Sequence, residues 1–449
     1  MDEWIKDYSD VSSNPELFVD GRPISDFEIS TEKVIVFPRA ESIDKKITLI
    51  KKYNDAWYTQ QYVGMVQIED DSDEEKKYKW IFFKSRFDNE SNNFTKYVLS
   101  KALNMKLFMF DDMERQTEQG AFMDLLLAVV LIQQIEKAYR KGIYKQYCTF
   151  EGNDSKVRGK IDIARHIRLN PLFNGKIAYS YREYTINNNT NRLILTAYTL
   201  MEKKYKGIMT QLVKNKTNVS VFIKNLKNVM QPFTRREIPR GMFHKEKKVT
   251  NSLYKDWEAV RKTSVMILRH FGINIDESAD LQTKGILIDM NKIWECYIES
   301  ILENKNLESQ KEIEILFEKD VKRTSIKPDF LIETNGLTSL ILDAKYKNKW
   351  EKVASGEKIE WPREDTFQVL SYMYILECNK GGIVCPMRVK TGKSVESKIE
   401  YDITKEKDKG KFAVIPIGIS QETDVSEFKK QMEENERNFR EAVNAYMND

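Results

Sequence analysis

The sequence predicts an α+β protein: a β-rich N-terminal part, a helical middle, and a C-terminal mixed sheet flanked by helices. Three observations carry this. Up to about Phe94, short apolar runs are rich in β-branched and aromatic residues. From Phe94 to Tyr144 the apolar residues recur at helical spacing. From the helix around Glu295 onward, helix-like and strand-like segments follow in the order α-β-β-β-α-β, which suits one sheet covered by helices. Three consecutive domains are expected, at 1–93, 94–250 and 251–449.

Composition permits this reading and narrows the function. A chain of 449 residues can hold two or three cores. Hydrophobic residues at 41% and aromatics at 11% exclude a disordered chain. The net charge of +4 is too small to decide for or against a nucleic-acid partner, so local charge must decide. Cys148, Cys296, Cys378 and Cys385 have no CxxC spacing, which argues against a zinc site or disulfide framework and suits a reducing cytoplasm. With His166, His244 and His270 as the only histidines, a His-based metal site or a Ser–His–Asp triad is not expected. The opening MDEWIKDYSD is acidic and lacks an apolar core, so it does not read as a signal peptide. The longest apolar run, Leu125 to Ile132, is too short to span a membrane and reads as a core helix.

In the N-terminal part, strands are expected at Lys33–Phe37, Ile47–Ile50, Trp57–Ile68 and Tyr78–Phe83. The acidic run Glu69–Glu75 between the last two reads as a solvated hairpin tip. Helices are expected at Phe94–Met105 and Glu118–Tyr144, the second with an apolar stripe of Phe122, Leu125, Ala128, Val129, Ile132, Ile135 and Tyr139. Arg158-Gly159-Lys160 reads as a tight turn into a strand, with Gly159 required by the backbone. Asn187 to Asn191 reads as a turn and helix N-cap ahead of a helix from Arg192 to Lys204. From Lys203 to Lys248, thirteen Lys/Arg stand against Glu237 and Glu246, with Tyr205, Phe222, Phe233 and Phe243 interleaved. A solvated helical face would give the same pattern, but so would a surface for DNA phosphates, with Arg235, Arg236 and Arg240 as the first candidates.

The segment Ile326–Lys347, IKPDFLIETNGLTSLILDAKYK, carries the chemistry. Asp329–Ile332 and Leu337–Tyr346 read as strands, and Asn335-Gly336 as the turn. Side chains alternate along a strand, so Asp343 and Lys345 share a face. A two-residue loop would put Asp329 on the opposite face. A three-residue loop, or an equivalent bulge, would bring it onto theirs, and that geometry is predicted. Two carboxylates and a lysine on one face suit a hard divalent cation such as Mg²⁺, which needs one or two carboxylates and keeps several waters. A surface hairpin with an ion pair would alternate in the same way. However, the apolar run Ser339–Leu342 directly before the charges reads as a buried strand.

Pro328-Asp329 followed by Asp343-Ala344-Lys345 resembles the PD-(D/E)xK nuclease signature. Val157-Arg158-Gly159-Lys160-Ile161-Asp162-Ile163-Ala164, followed by Asn191-Arg192-Leu193-Ile194, is similar to the McrC family. Components of restriction enzymes of the LlaJI and BsuMI kind are close relatives. The resemblance covers roughly Cys148 to Val384. It implies a PD-(D/E)xK mixed sheet and a restriction endonuclease subunit that cuts double-stranded DNA with Mg²⁺, driven by a separate McrB-like AAA+ NTPase. It also implies Asp329 and Asp343 as metal ligands, Lys345 as a catalytic residue, Glu295 on the preceding helix as a further metal ligand, and Gln368 on the following helix near the catalytic centre. Residues 1–93 would then dock the partner, and Trp350–Glu364 reads as a loop beside the site.

The chain has no GxxxxGK[ST]. Gly392-Lys393-Ser394 comes near it, but Met387 stands where the first glycine belongs. Two other readings remain: a non-catalytic DNA-binding subunit that activates its partner's NTPase, and a stand-alone repair nuclease.

Overall fold

The architecture is that of a computed structural model, which describes residues 4–19, 22–31, 33–38, 46–70, 77–89, 92–103, 118–172, 174–214, 216–234, 248–271, 284–302, 306–318, 321–334, 336–389, 398–404 and 410–448. As the sequence patterning predicts, the protein is α+β: strands dominate the N-terminal part, helices the middle, and a mixed sheet with helices the C-terminal part.

The chain divides into two compact units, and one of them is discontinuous: Met1–Glu118 joins Lys284–Asp449, while Gln119–Thr283 stands as the other. This differs from three consecutive domains, and strand pairing supplies the reason. Gly285–Asp289 lies in the N-terminal sheet, parallel to Val34–Phe37 and antiparallel to Tyr62–Asp70. Ile286, Leu287 and Ile288 are all buried there. A fully apolar strand needs neighbours on both edges and cover on both faces, and the N-terminal sheet supplies the flanking strands.

That sheet has five strands in the order Ile5–Lys6, Lys77–Lys84, Tyr62–Asp70, Gly285–Asp289, Val34–Phe37. Trp57–Ile68, expected as one strand, is two: Ala56–Thr59 and Tyr62–Asp70. Asp70 pairs with Lys77, so the acidic run connects two paired strands; residues 71–76 themselves lie outside the described residues. Leu17, Phe18, Phe27, Leu49, Val66 and Phe83 form the core beneath.

The C-terminal sheet has six strands in the order Leu307–Ser309, Phe330–Thr334, Leu337–Ala344, Lys380–Arg388, Lys411–Ile419, Ile399–Asp402. Leu337–Ala344, Lys380–Arg388 and Lys411–Ile419 run parallel, and the outer pairs are antiparallel. Parallel neighbours require a crossover, which the helices Asn348–Ala354 and Arg363–Ile375 provide between Ala344 and Lys380. The loop expected at Trp350–Glu364 is therefore partly helix. Trp350, Val353 and Ala354 fall at i, i+3, i+4 and are buried against the sheet. Ile313–Glu318 forms with Val321–Ile326 a two-stranded ribbon of its own. An amphipathic helix runs Val425–Asn448, burying Phe428, Met432, Phe439, Val443 and Tyr446.

In the other unit, Leu125 to Ile132 is buried throughout the helix Glu118–Tyr139. A three-stranded antiparallel sheet places Ile177–Thr185 between Gln146–Asp154 and Lys160–Ile161. Gly159 turns into the last of these with φ +70°, and a Cβ there would stand 2.5 Å from the Ser180 carbonyl oxygen, so the backbone does require glycine. Asn188 caps the helix Asn189–Lys204, its side chain accepting the Asn191 N–H. Among the described residues, no helix is long and apolar enough to cross a membrane.

Candidate active site

The site is built on the hairpin Phe330–Thr334/Leu337–Ala344. Thr334 pairs with Leu337 across a turn in which Gly336 takes φ +80°. That short turn alone would have put Asp329 on the wrong face. The register then slips: Glu333 pairs with Thr338 but Ile332 with Leu340, leaving Ser339 as a bulge. Phe330 consequently faces Leu342, and one further step sets Asp329 across from Asp343. The bulge, not a three-residue loop, supplies the parity shift.

Asp329 is 8% exposed and Asp343 2%. The Asp329 carboxylate is gripped at both oxygens: Oδ2 accepts the Ala344 N–H at 2.9 Å, and Oδ1 accepts the Gln310 side-chain amide at 2.7 Å. Lys345 Nζ stands 2.5 Å from Asp343 Oδ2, 3.8 Å from Asp365 Oδ1, and donates to Gln368 Oε1 at 3.2 Å. Despite its ion pair, Asp343 Oδ2 receives no aligned hydrogen bond among the described residues.

Flanking helices bring the rest. Met290–Ile301, capped by Asp289, buries Ile293, Trp294, Tyr297 and Ile298 and leaves Glu295 half-buried beside the strand ends. Lys292 Nζ donates to both Glu295 oxygens, at 2.9 and 2.7 Å, and Gln310 Nε2 reaches Glu295 Oε2 at 3.4 Å. On Arg363–Ile375, Gln368 Nε2 donates to the Tyr372 hydroxyl at 2.8 Å. Asp365, three residues earlier, accepts from Lys347 at 2.7 Å and from the Trp350 indole at 2.8 Å.

The electrostatics are strained in one direction. Burial, and then the neighbouring Asp329, push the Asp343 carboxyl up to about 7. Burial and Asp329 also raise Glu295. Burial disfavours the Lys345 ammonium, yet Asp343 and Asp365 more than offset this and keep it protonated. The folded protein therefore binds a proton at Asp343 more tightly than the unfolded chain, so this group favours folding at low pH and stops doing so as pH rises from about 4 to about 7. Across that window the metal-free melting temperature of wild type is expected to fall relative to that of Asp343→Asn. Parallel melting curves at pH 4.5 and 7.5 would show that Asp343 titrates normally.

The structure thus brings together Glu295, Asp329, Asp343, Lys345 and Gln368. Arg235, Arg236 and Arg240 lie outside the described residues. Sequence reasoning missed Gln310, Lys292, Asp365 and Lys347. Asp365 had a signal, since it precedes Gln368 by three on one helix; Gln310 had none, lying outside the motif strands.

Fold and site together define an α+β protein with a charged, partly buried centre at the carboxyl end of an interior strand. A model of the family described as McrBC 5-methylcytosine restriction system component matches residues 58–386, a span that contains this centre. The chain belongs to that family. Among solved structures it is similar to a chain in the refined half-complex from the tetradecameric assembly of Thermococcus gammatolerans McrB AAA+ hexamers with bound McrC, at 16% identity over 88% of this chain and 85% of that one, with a TM-score of 0.42. It is also similar to a chain of the Thermococcus gammatolerans McrBC complex, at 13% identity over 57% of this chain and 69% of that one, with a TM-score of 0.27. No curated protein matches it.

Proposed function

We propose that this chain is the Mg²⁺-dependent DNA endonuclease subunit of a restriction system, hydrolysing phosphodiester bonds in double-stranded DNA together with a separate McrB-like AAA+ NTPase. The observation that carries the reading is the meeting of Asp329, Asp343 and Lys345 at one strand end, with Glu295 alongside, in a chain of this family. The partner follows from the family being one of system components and from the lack of GxxxxGK[ST] in this sequence. Residues 1–93 are proposed to dock that partner, and Arg235, Arg236 and Arg240 to contact DNA phosphates.

The donor set fits Mg²⁺. Among the described residues, no three His, Cys, Asp or Glu side chains stand preassembled as a metal cluster. Mg²⁺ does not require one, since one or two carboxylates and waters suffice. Asp343, buried beside the Asp329 carboxylate and raised by both burial and that neighbour, is the group whose charge a cation would favour most. Asp329 and Asp343 would hold the ion and Glu295 would assist. Bound there, Mg²⁺ would acidify a water and neutralise charge on the scissile phosphate. Lys345 positions that water and stabilises the charge building on the phosphate oxygens. Gln368 and Asp365 hold the Lys345 ammonium over the site.

The test is cleavage of supercoiled plasmid, methylated and unmethylated, with Mg²⁺, with and without the AAA+ protein encoded beside this chain and its nucleotide. Wild type is expected to cut only with the partner. Lys345→Met is expected to slow cutting by about 10²–10³-fold, the scale of removing one group that stabilises transition-state charge. Cutting without the partner would indicate an autonomous nuclease. Stimulation of the partner's NTPase with no cutting of either DNA would indicate the assembly subunit.

A further inference from the structure

Gln310 is the residue of this centre that no motif contains. It follows the edge strand Leu307–Ser309 with φ +52°, a left-handed conformation that disfavours a residue bearing a side chain. Such strain persists only where other contacts hold it, and here the backbone N–H and the side-chain amide both lead to the acidic residues. Its backbone N–H donates to the Asp329 carbonyl at 2.9 Å. Its side-chain amide donates to Asp329 Oδ1 at 2.7 Å and reaches Glu295 Oε2 at 3.4 Å. One neutral donor therefore bridges a carboxylate from the hairpin and a carboxylate from the helix Met290–Ile301.

We infer that Gln310 is a positioning residue for the divalent cation: it holds the Asp329 and Glu295 carboxylates in a fixed mutual geometry without neutralising either. The inference rests on the metal site proposed above. A lysine in the same place would hold both groups too, but would compete with the cation for their charge. An amide adds no second positive charge beside Lys292, which already donates to both Glu295 oxygens, and it leaves the Asp329 charge to the cation. The second Asp329 oxygen is fixed by the Ala344 N–H, so the carboxylate has no free rotation left once Gln310 is in place. The left-handed backbone serves the same end, turning the chain so that main-chain N–H and side-chain amide address the same aspartate.

The test is Mn²⁺ binding to the full-length, partner-free protein by calorimetry, for wild type, Gln310→Gly, Gln310→Met and Asp343→Asn, with a melting curve for each. Glycine removes the amide and relieves the backbone; methionine removes the amide and keeps the chain length. Both are expected to weaken Mn²⁺ binding by about 10–100-fold, as the loss of a partner that orients a metal ligand does, with Gln310→Gly folded as wild type. Unchanged binding in both, or weakening in only one, would overturn the role given to the amide while leaving the metal site intact, provided Asp343→Asn loses Mn²⁺. If wild type itself bound no Mn²⁺, or Asp343→Asn bound it as well as wild type, the metal site would fall and this inference with it.

Discussion

Asp343→Asn is expected to abolish plasmid cleavage, by at least about 10³-fold, in a protein that is at least as stable as wild type near pH 7 when metal is absent. The two halves of this result have one cause. The Asp343 carboxylate is buried at 2% exposure, faces Asp329, and is pushed up to about 7 by those surroundings. Folding therefore holds a negative charge where charge is disfavoured, and the group proposed to hold the cation works against the stability of the metal-free protein. Asparagine keeps the shape, removes the buried charge and ends the repulsion with Asp329. Lys345 loses its closest anion, at 2.5 Å, but keeps Asp365 at 3.8 Å and Gln368 at 3.2 Å, so its ammonium is not stranded. Mg²⁺ should raise the melting temperature of wild type and leave that of Asp343→Asn unmoved. A variant that still cuts would remove Asp343 from the chemistry. One that melts well below wild type at pH 7.5 would show that the carboxylate is part of the scaffold.

This centre was legible to the extent that it depends on short spacings. Asp343 lies in the strand Leu337–Ala344 and Lys345 directly follows it, two residues on, so alternation sets them on one face, and their meeting at 2.5 Å follows. The turn between Thr334 and Leu337, where Gly336 takes φ +80°, was legible from residue type, and the need for a parity shift from the position of Asp329. That the shift is a bulge at Ser339 was one of two solutions the residues allowed. The helix Asn348–Ala354 had a signal, Trp350, Val353 and Ala354 at helical spacing, but charged neighbours masked it within what read as a loop. Long-range placement left no local trace. Nothing in GILID says that Gly285–Asp289 pairs with strands some 220 to 250 residues earlier in the chain, which is why the discontinuous unit reads from sequence as separate domains. Gln310 reaches the site through a backbone conformation that its residue type does not advertise.

The largest loss of stability is expected from Arg86→Met, at a residue outside the motifs. Its guanidinium is almost fully buried and held from three sides: Nε 3.0 Å from Glu351 Oε2, Nη1 3.4 Å from Asp7 Oδ1, and Nη2 donating to the Tyr346 carbonyl at 2.5 Å. The rings of Phe87, Tyr346 and Tyr8 lie 4.4, 4.5 and 5.2 Å from its centre. Asp7 also accepts the Arg86 N–H at 2.9 Å and the Tyr346 hydroxyl at 2.8 Å. Methionine can fill much of the space but leaves Asp7 buried without its cation, a change that costs about 3–5 kcal/mol in such pairs. Burial already raises the Asp7 carboxyl, and loss of Arg86 raises it further. The deficit of Arg86→Met should therefore grow as pH rises through the neutral range, where the folded chain must either ionise Asp7 or hold its proton against the solvent. Adding Asp7→Asn should recover part of the loss, because the stranded charge is then gone, and the coupling from the double-mutant cycle measures the pair. The network ends on Tyr346, the residue after Lys345, so cleavage by any folded Arg86→Met should also be slower. A single variant melting within about 2 °C of wild type, the range of an ordinary surface substitution, would show that the buried pair contributes nothing net and that the aromatic packing around it holds the strand end unaided.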